Sequence, residues 1–527
     1  MRGGRVALAV GLGVALTLAC RAPRATPEEA PAPPAEGVLW SVDGRPTRAA
    51  REAVAALANA AAKGLEPGDY DAPALAAELG ELERAKRASP EAAARFDATL
   101  DSAFARVLSD LHFGRVRPAS LGIRLGGAPG RFDPAASAAA AREHGVAATI
   151  AAAEPGLFLY RRLEEALGRY RALAASPSAA PVQLRPVVHP GDPLPEAPAL
   201  RRWLAALGDL ASDAPPDAAV QALYEPSLVE AVRRFQARHG LEPDGVIGKA
   251  TVRALAVPAS TRARQLELTL ERLRWLPPLE GQRIVAVNVP AFELWVFDAE
   301  RPQGRPALEM RVVVGRAVRW QTPLLAGALD QVEFQPDWEV PPRIAQEEIV
   351  PHLRKDPGYL AAHDMELLRG STPVPPTPEN VAAIGTGVRV RQRPGPQNPL
   401  GRVKFSFPNS ASVYLHDTPT RQVFQRSRRD FSHGCVRLED APGLAVWLLS
   451  DVPGWSPERV QESLAGETSF VVRLPRPVPI FLFYATALVE PDGRLLFFED
   501  VYGHDRALER ALAERSGWAR ASSGSTS

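Results

Sequence analysis

His416, with Asp417 beside it, is separated by fifteen residues from the run Ser432-His433-Gly434-Cys435-Val436-Arg437. A thiol attacks an acyl carbon as the thiolate, so it needs a base within reach or a local field that lowers its pKa. His416 closes a stretch of strand character, Ser412-Val413-Tyr414-Leu415-His416, and is placed to supply that base across a loop return. Tyr414 falls on the same strand face by the period-two rule and is expected to wall the substrate site. A helix is expected to begin near Leu438, which would set unpaired backbone N–H groups close to Cys435 and favour negative charge there. Gly434 allows close backbone approach, and the N–H groups of Gly434 and Cys435 are candidates for an oxyanion hole, where one donor is worth about 3 kcal/mol. Arg437 either holds a substrate carboxylate or caps local structure. Two histidines and a cysteine also suggest zinc, but no fourth ligand is evident, and no metal or cofactor is expected.

The cysteine count gives Cys435 further weight. The chain has two cysteines, Cys20 and Cys435. Arg2 and Arg5 precede an uncharged, mostly apolar run of fourteen residues, 6–19, short for a bilayer span and right for the core of an export signal. Cys20 follows at once in Leu16-Thr17-Leu18-Ala19-Cys20, which resembles a bacterial lipoprotein signal; plain cleavage after Ala19 is the other reading. Either way the mature protein is expected in the periplasm or cell envelope, with the membrane touched only through the signal or a lipid on Cys20. Cys435 then has no obvious disulfide partner in a compartment that favours disulfides. A thiol kept free there is either inert packing or chemically employed.

The surroundings must position these groups. With 527 residues, several folding units are expected, and 46% hydrophobic with 23% charged residues suits a globular chain. The near balance of 62 basic and 61 acidic residues gives no nucleic-acid surface. After a Pro/Ala tether at 21–36, residues 37–212 read as a helical scaffold, with amphipathic runs at 48–63, 73–88, 90–110 and 157–175. Residues 213–257 form a compact unit: a helix over 226–238 with Gly240 at its C-cap, the loop HGLEPDGVIG, and a short helix over 249–255. Residues 258–282 are a connecting helix. From 283 the period changes to two, giving strands at 284–289, 293–297, 310–315, 331–334, 403–405 and 412–416. Residues 341–400 interrupt them with a helical piece and a Pro/Gly-rich loop, as a lid does. The 283–475 unit would thus hold the reactive groups. Residues 476–527 are expected to give a strand pair around Pro491-Asp492-Gly493 that packs back on the body, then a disordered tail.

At this point the resemblances become specific. The helix, HGLEPDGVIG and helix order looks like the peptidoglycan-binding-domain-1 module, a small three-helix bundle. The His416…Ser432-His433-Gly434-Cys435 pattern, after Pro399-Leu400-Gly401-Arg402-Val403-Lys404-Phe405, resembles the signature of bacterial L,D-transpeptidases. Val287-Asn288-Val289-Pro290-Ala291-Phe292, Val313-Val314-Gly315, Trp338 with Val340-Pro341-Pro342, and Glu499-Asp500-Val501-Tyr502-Gly503 look similar to the large multidomain branch. So do Gly64-Leu65-Glu66-Pro67-Gly68-Asp69-Tyr70 and Gly114-Arg115-Val116-Arg117-Pro118. The implied fold is multidomain α+β: a mainly β catalytic domain with a capping insertion, a helical scaffold and the three-helix module. The implied roles are Cys435 as nucleophile, His416 as general base, the Asp417 backbone carbonyl orienting His416, and Gly434 and Cys435 at the oxyanion. His433 is structural or on the oxyanion side, and Trp338, Tyr414, Ser432 and Arg437 contact substrate. The implied reaction is acyl transfer from a peptidoglycan tetrapeptide stem, with a stem amine, water or an envelope protein as acceptor, and carbapenems as acylating inhibitors. The reading from another class is a non-catalytic wall-binding scaffold.

Overall fold

The computed structural model describes residues 40–523 apart from 88, 126–131, 178, 186, 212–221, 278–280, 299–304 and 357; the expected signal and tether lie outside the described residues. A small hairpin, β1 (Ser41–Val42) and β2 (Arg45–Pro46), leads into α1 (Arg48–Ala58), α2 (Ala72–Arg84), α3 (Pro90–Phe113), α4 (Pro134–His144), α5 (Val146–Ala153) and α6 (Phe158–Ala175). Side chains of Thr47, Ser89 and Asp133 accept the first free N–H groups of α1, α3 and α4, which fixes where those helices start. Trp40, Leu57, Tyr70, Phe96, Phe104 and Leu108 fill the core between them. Helices α4 and α5 are absent from the sequence reading because they are Ala-rich on every side, with no apolar stripe to reveal a period.

The compact module consists of α7 (Ala197–Leu207), α8 (Pro226–Arg238) and α9 (Lys249–Leu255). Its first helix precedes residue 213, where the sequence reading begins the unit. Trp203 and Leu204 of α7 share one core with Leu228, Val232 and Phe235 of α8. Gln236 organises the loop between α8 and α9, accepting the Gly245 N–H at 2.8 Å and donating to the Val246 carbonyl at 2.9 Å.

Helix α10 (Ala259–Leu273) packs along α6 and carries the link between the helical layer and the sheet. Glu271, fully buried, accepts the Val116 N–H at 3.0 Å and pairs with Arg274 at 3.0 Å and Arg115 at 3.3 Å. Arg274 in turn donates to the Tyr160 hydroxyl at 3.0 Å. A buried carboxylate is tolerated there because each of its oxygens meets a donor.

The sheet strands are β3 (Ile284–Asn288), β4 (Glu293–Phe297), β5 (Leu308–Gly315) and β6 (Leu325–Phe334). The insertion adds β7 (Trp338–Glu339), β8 (Met365–Arg369), β9 (Thr372–Val374) and β10 (Arg389–Gln392). They are followed by β11 (Val403–Ser406), β12 (Leu415–His416), β13 (Asp430–Ser432), β14 (Val436–Leu438), β15 (Phe470–Phe483) and the hairpin β16 (Ala487–Val489) and β17 (Leu495–Phe497). The main sheet runs β13-β5-β14-β12-β11-β6-β15-β3-β4, and β4 pairs back on β5, closing it into a barrel. Its interior is apolar, with Val285, Val312, Leu329, Phe334, Phe405, Leu415, Val436 and Ile480 among its buried residues.

Two expectations change. The insertion is not mainly a loop: it builds a sheet of its own, β7-β10-β8-β9, over a separate core that includes Ile344, Leu353, Leu367 and Val390. Those strands are two to five residues long and rich in arginine and glutamate, so their period was hidden. The C-terminal segment does more than pack back on the body. Strand β15 runs through residue 475 and lies between β6 and β3, so the final segment completes the barrel. A helix, His504–Ser523, stands where a disordered tail was expected; residues 524–527 lie outside the described residues.

Replacing Glu271 with alanine strands the guanidinium groups of Arg115 and Arg274 without their anion. The Glu271→Ala chain is expected to lose about 3–5 kcal/mol of stability, read as a lower midpoint in urea unfolding; an unchanged midpoint would remove Glu271 from this role.

Candidate active site

The site is set by a register. Strand β12 pairs in parallel with β14, Leu415 opposite Val436 and His416 opposite Arg437, and the Val436 N–H donates to the Tyr414 carbonyl at 3.1 Å. Side chains alternate along each strand, so Tyr414, His416, Cys435 and Arg437 all project from one face. On the other side of β12, Lys404 of β11 stands opposite His416, and Glu333 of β6 stands opposite Lys404. The Lys404 ammonium bonds Glu333 at 2.7 Å and lies 5.1 Å from the centre of the Tyr414 ring. One face of the barrel therefore carries a polar stripe running Glu333, Lys404, His416, Arg437.

His416 is buried, and its Nδ1–H donates to the Asp417 carbonyl at 2.6 Å, which leaves Nε2 as the ring's proton acceptor. Its pKa is pushed down to about 3 by burial first and then by the Arg437 charge, against the carbonyls of Asp417 and Pro399. The Asp417 carboxylate is occupied elsewhere, accepting the Arg402 N–H at 3.0 Å and pairing with Arg421 at 3.0 Å. Glycine is required at 401, where φ is +62° and a Cβ would lie 2.3 Å from that carboxylate.

Cys435 is a free thiol. Burial pushes it above its ordinary pKa, while hydrogen bonds from the Tyr414 N–H and hydroxyl and the charges of Lys404 and Arg437 pull the other way. The tyrosine hydroxyl in turn meets Trp338 of β7, so Trp338 reaches the sulfur through Tyr414. Among the described residues no hydrogen bond joins His416 to the Cys435 sulfur; they are neighbours one pair apart on the face. Catalytic contacts of this kind commonly tighten only with substrate in place.

Three expectations around the nucleophile change. Cys435 does not precede a helix: β14 follows it, and the helix Ala441–Leu449 starts later, capped by Asp440. The field at the sulfur comes from Lys404 and Arg437 instead. Ser432, expected to contact substrate, is turned into the 432–435 turn instead. It is 2% exposed, and its hydroxyl accepts the Gly434 N–H at 3.1 Å and donates to the Cys435 carbonyl at 2.6 Å, stapling the turn. The Gly434 N–H is thereby spent, so of the two candidate oxyanion donors only the Cys435 N–H has no hydrogen bond among the described residues. Gly434 itself has φ +116°, a conformation that an L side chain rarely adopts.

His433 points to the insertion, with Nε2 2.7 Å from Glu348 and its ring edge-on to Trp320 at 4.9 Å. Arg437 is largely buried, its Nε has no partner among the described residues, and burial with the nearby Arg316 pulls its pKa below the usual range. Sequence reasoning gave no role to Lys404, Thr322 or Glu348. Lys404 belongs to the Pro399–Phe405 run, and only the β11–β12 pairing shows that it shares a face with His416.

The site is thus a closed, mixed β-barrel with His416 on β12 and Cys435 leading into the adjacent parallel strand β14, roofed by an insertion. Three family models match parts of the chain. Residues 282–471 match the L,D-transpeptidase catalytic domain, 35–167 the scaffold domain, and 194–255 the family described as "Putative peptidoglycan binding domain". Residues 282–471 are thus similar to L,D-transpeptidase catalytic domains, and the helical regions to the scaffold and peptidoglycan-binding families. A Haemophilus influenzae protein named "Putative L,D-transpeptidase" is 34% identical over 256 residues, 48% of this chain; the match spans 50% of that relative's length. Among solved structures, an L,D-transpeptidase from Xylanimonas cellulosilytica is 14% identical, covering 57% of this chain and 98% of that one, with a TM-score of 0.18. An Enterococcus faecium L,D-transpeptidase cysteine-to-serine mutant is 11% identical, covering 60% and 100%, with a TM-score of 0.17. Scores so low give the overall superposition no weight.

With the thiol raised above its ordinary value and His416 neutral, the resting pair carries no ion pair. Alkylation of Cys435 by iodoacetamide is therefore expected to rise about tenfold per pH unit from pH 6 to 8, following the thiolate fraction. A rate that levels off below pH 7, followed by intact mass, would show a preformed thiolate and imidazolium.

Proposed function

We propose that this protein is a peptidoglycan L,D-transpeptidase that forms 3→3 cross-links through a thioester on Cys435. The observation that carries the reading is the common face of Tyr414 and His416, at and before β12, with Cys435 and Arg437, at and before β14. His416 Nε2 takes the thiol proton as the sulfur attacks the carbonyl carbon of the L-centre of the third stem residue. The bond from that carbon to the terminal D-Ala nitrogen breaks, and the amine leaves with the proton returned from His416. An amine of a neighbouring stem then attacks the thioester, loses its proton to His416 and releases the thiol.

Low basicity at His416 and a raised thiol keep the proton on sulfur until an acyl donor arrives. Lys404 and Arg437 disfavour an imidazolium but favour the negative charge that develops at the sulfur and the carbonyl oxygen. The orphaned Arg437 Nε is the natural partner of a donor carboxylate, since a stem peptide ends in one. Trp338 and Tyr414 wall the donor under the insertion. The module at 194–255 supplies attachment to the wall, and the expected signal, with lipid on Cys20 as one outcome, places the chain in the periplasm. Water in place of the amine would give an L,D-carboxypeptidase, and an envelope-protein lysine a ligase, through the same acyl-enzyme.

Purified sacculi treated with the protein and digested to muropeptides are expected to gain 3→3 dimers, and Cys435→Ala and His416→Ala to give none. A rise in tripeptide without dimers would make water the acceptor. No product and no mass adduct with a carbapenem would sink the enzyme reading and leave the wall-binding scaffold. Arg437→Ala is expected to raise the KM for a tetrapeptide donor at least tenfold, and to do so less for a donor amidated at its C-terminus.

A further inference from the structure

The motif Glu499-Asp500-Val501-Tyr502-Gly503 has no part in the chemistry above, yet it reaches the nucleophile turn. The Tyr502 hydroxyl donates to the Gly315 carbonyl at 2.5 Å and accepts the Thr322 N–H at 3.2 Å. Thr322 is fully buried; its hydroxyl accepts the Gly315 N–H at 2.8 Å and donates to the Gly434 carbonyl at 2.8 Å. The approach is close. A Cβ on Gly315 would fall 1.8 Å from the Trp320 carbonyl oxygen and 2.8 Å from the Thr322 nitrogen, so the 320–322 segment is wedged between β5 and the turn.

The Gly434 carbonyl and the Cys435 N–H belong to one peptide group. That group is planar and trans, so its oxygen and its N–H point in opposite directions. Holding the oxygen with the Thr322 hydroxyl therefore aims the Cys435 N–H away from Thr322 and prevents the plane from turning. Since Ser432 occupies the Gly434 N–H, this is the donor on which the oxyanion depends. We infer that Thr322 and Tyr502 are positioning residues for acyl transfer, fixing the Gly434–Cys435 peptide so that its N–H is presented to the oxyanion. The inference rests on the acyl-transfer reading above.

The same bonds continue away from the site. The Tyr502 N–H donates to the Tyr484 hydroxyl at 2.9 Å, Tyr484 donates to Asp500 at 2.7 Å, and the Asp500 carboxylate accepts the Asp505 N–H at 3.1 Å. Asp505 pairs with Arg272 of α10 at 2.6 Å. The turn at the nucleophile is thus braced against the helix that carries the scaffold.

The test compares two reactions of the full chain at Cys435. Acylation by meropenem builds charge on a carbonyl oxygen; alkylation by iodoacetamide does not. Thr322→Val is expected to slow acylation at least tenfold and to leave alkylation within twofold of the parent. Thr322→Ser restores the hydroxyl and is expected to recover most of the acylation rate. Tyr502→Phe is expected to slow acylation at least threefold by the same split, and decides the matter should Thr322→Val fail to fold. Acylation by Thr322→Val within twofold of the parent overturns the inference, as does an equal loss of both reactions. A parent chain that is alkylated but never acylated overturns the acyl-transfer reading itself, and the inference with it.

Discussion

The parallel pairing of β12 with β14 is a contact between strands of two and three residues. Neither strand holds a register by itself. Their register is imposed from outside, by β11 on one flank and β5 on the other, inside a barrel that closes through β4 and β5. A slip of one residue would turn His416 inward or put Cys435 among the core side chains. Leu415 and Val436, both fully buried, are what such a slip would expel. The apolar residues between the reactive ones thus keep the reactive ones on one face.

That face sits in an electrostatic balance. Burial alone disfavours both the thiolate and the imidazolium. Lys404 and Arg437 break the symmetry, because a positive field supports charge on sulfur and opposes charge on the ring. Glu333 tempers Lys404, whereas Arg437 keeps an unpaired donor. An anionic substrate group beside Arg437 would offset the cost of its buried guanidinium.

The helical parts do not stand apart from this chemistry. Helix α10 is joined to the scaffold by Glu271, Arg274 and Tyr160, and through Arg272 to Asp505 beside the C-terminal motif. On the other side, the insertion meets the site at Glu348 with His433 and at Trp338 with Tyr414. The Gly434–Cys435 turn lies between a roof and a brace, each formed by chain remote in sequence.

Much of this was legible in advance. The period-two runs marked most barrel strands, amphipathic stripes marked α1–α3, α6 and α8, and the His416 to Cys435 spacing singled out two residues that the barrel sets on one face. Local rules also placed Gly240 at the end of α8, where φ is +63°. They failed where a neighbour overrode them: β14 took the place of a helix start because β5 and β12 offered ladder partners, and β15 ran on because β6 and β3 flank it. What the sequence determined by itself was residue type and spacing, hence a thiol, a base and a glycine turn. Only the tertiary structure decided which groups surround them. Lys404, Thr322 and Tyr502 reach the site through contacts between segments far apart in the chain, and no periodicity records such a contact.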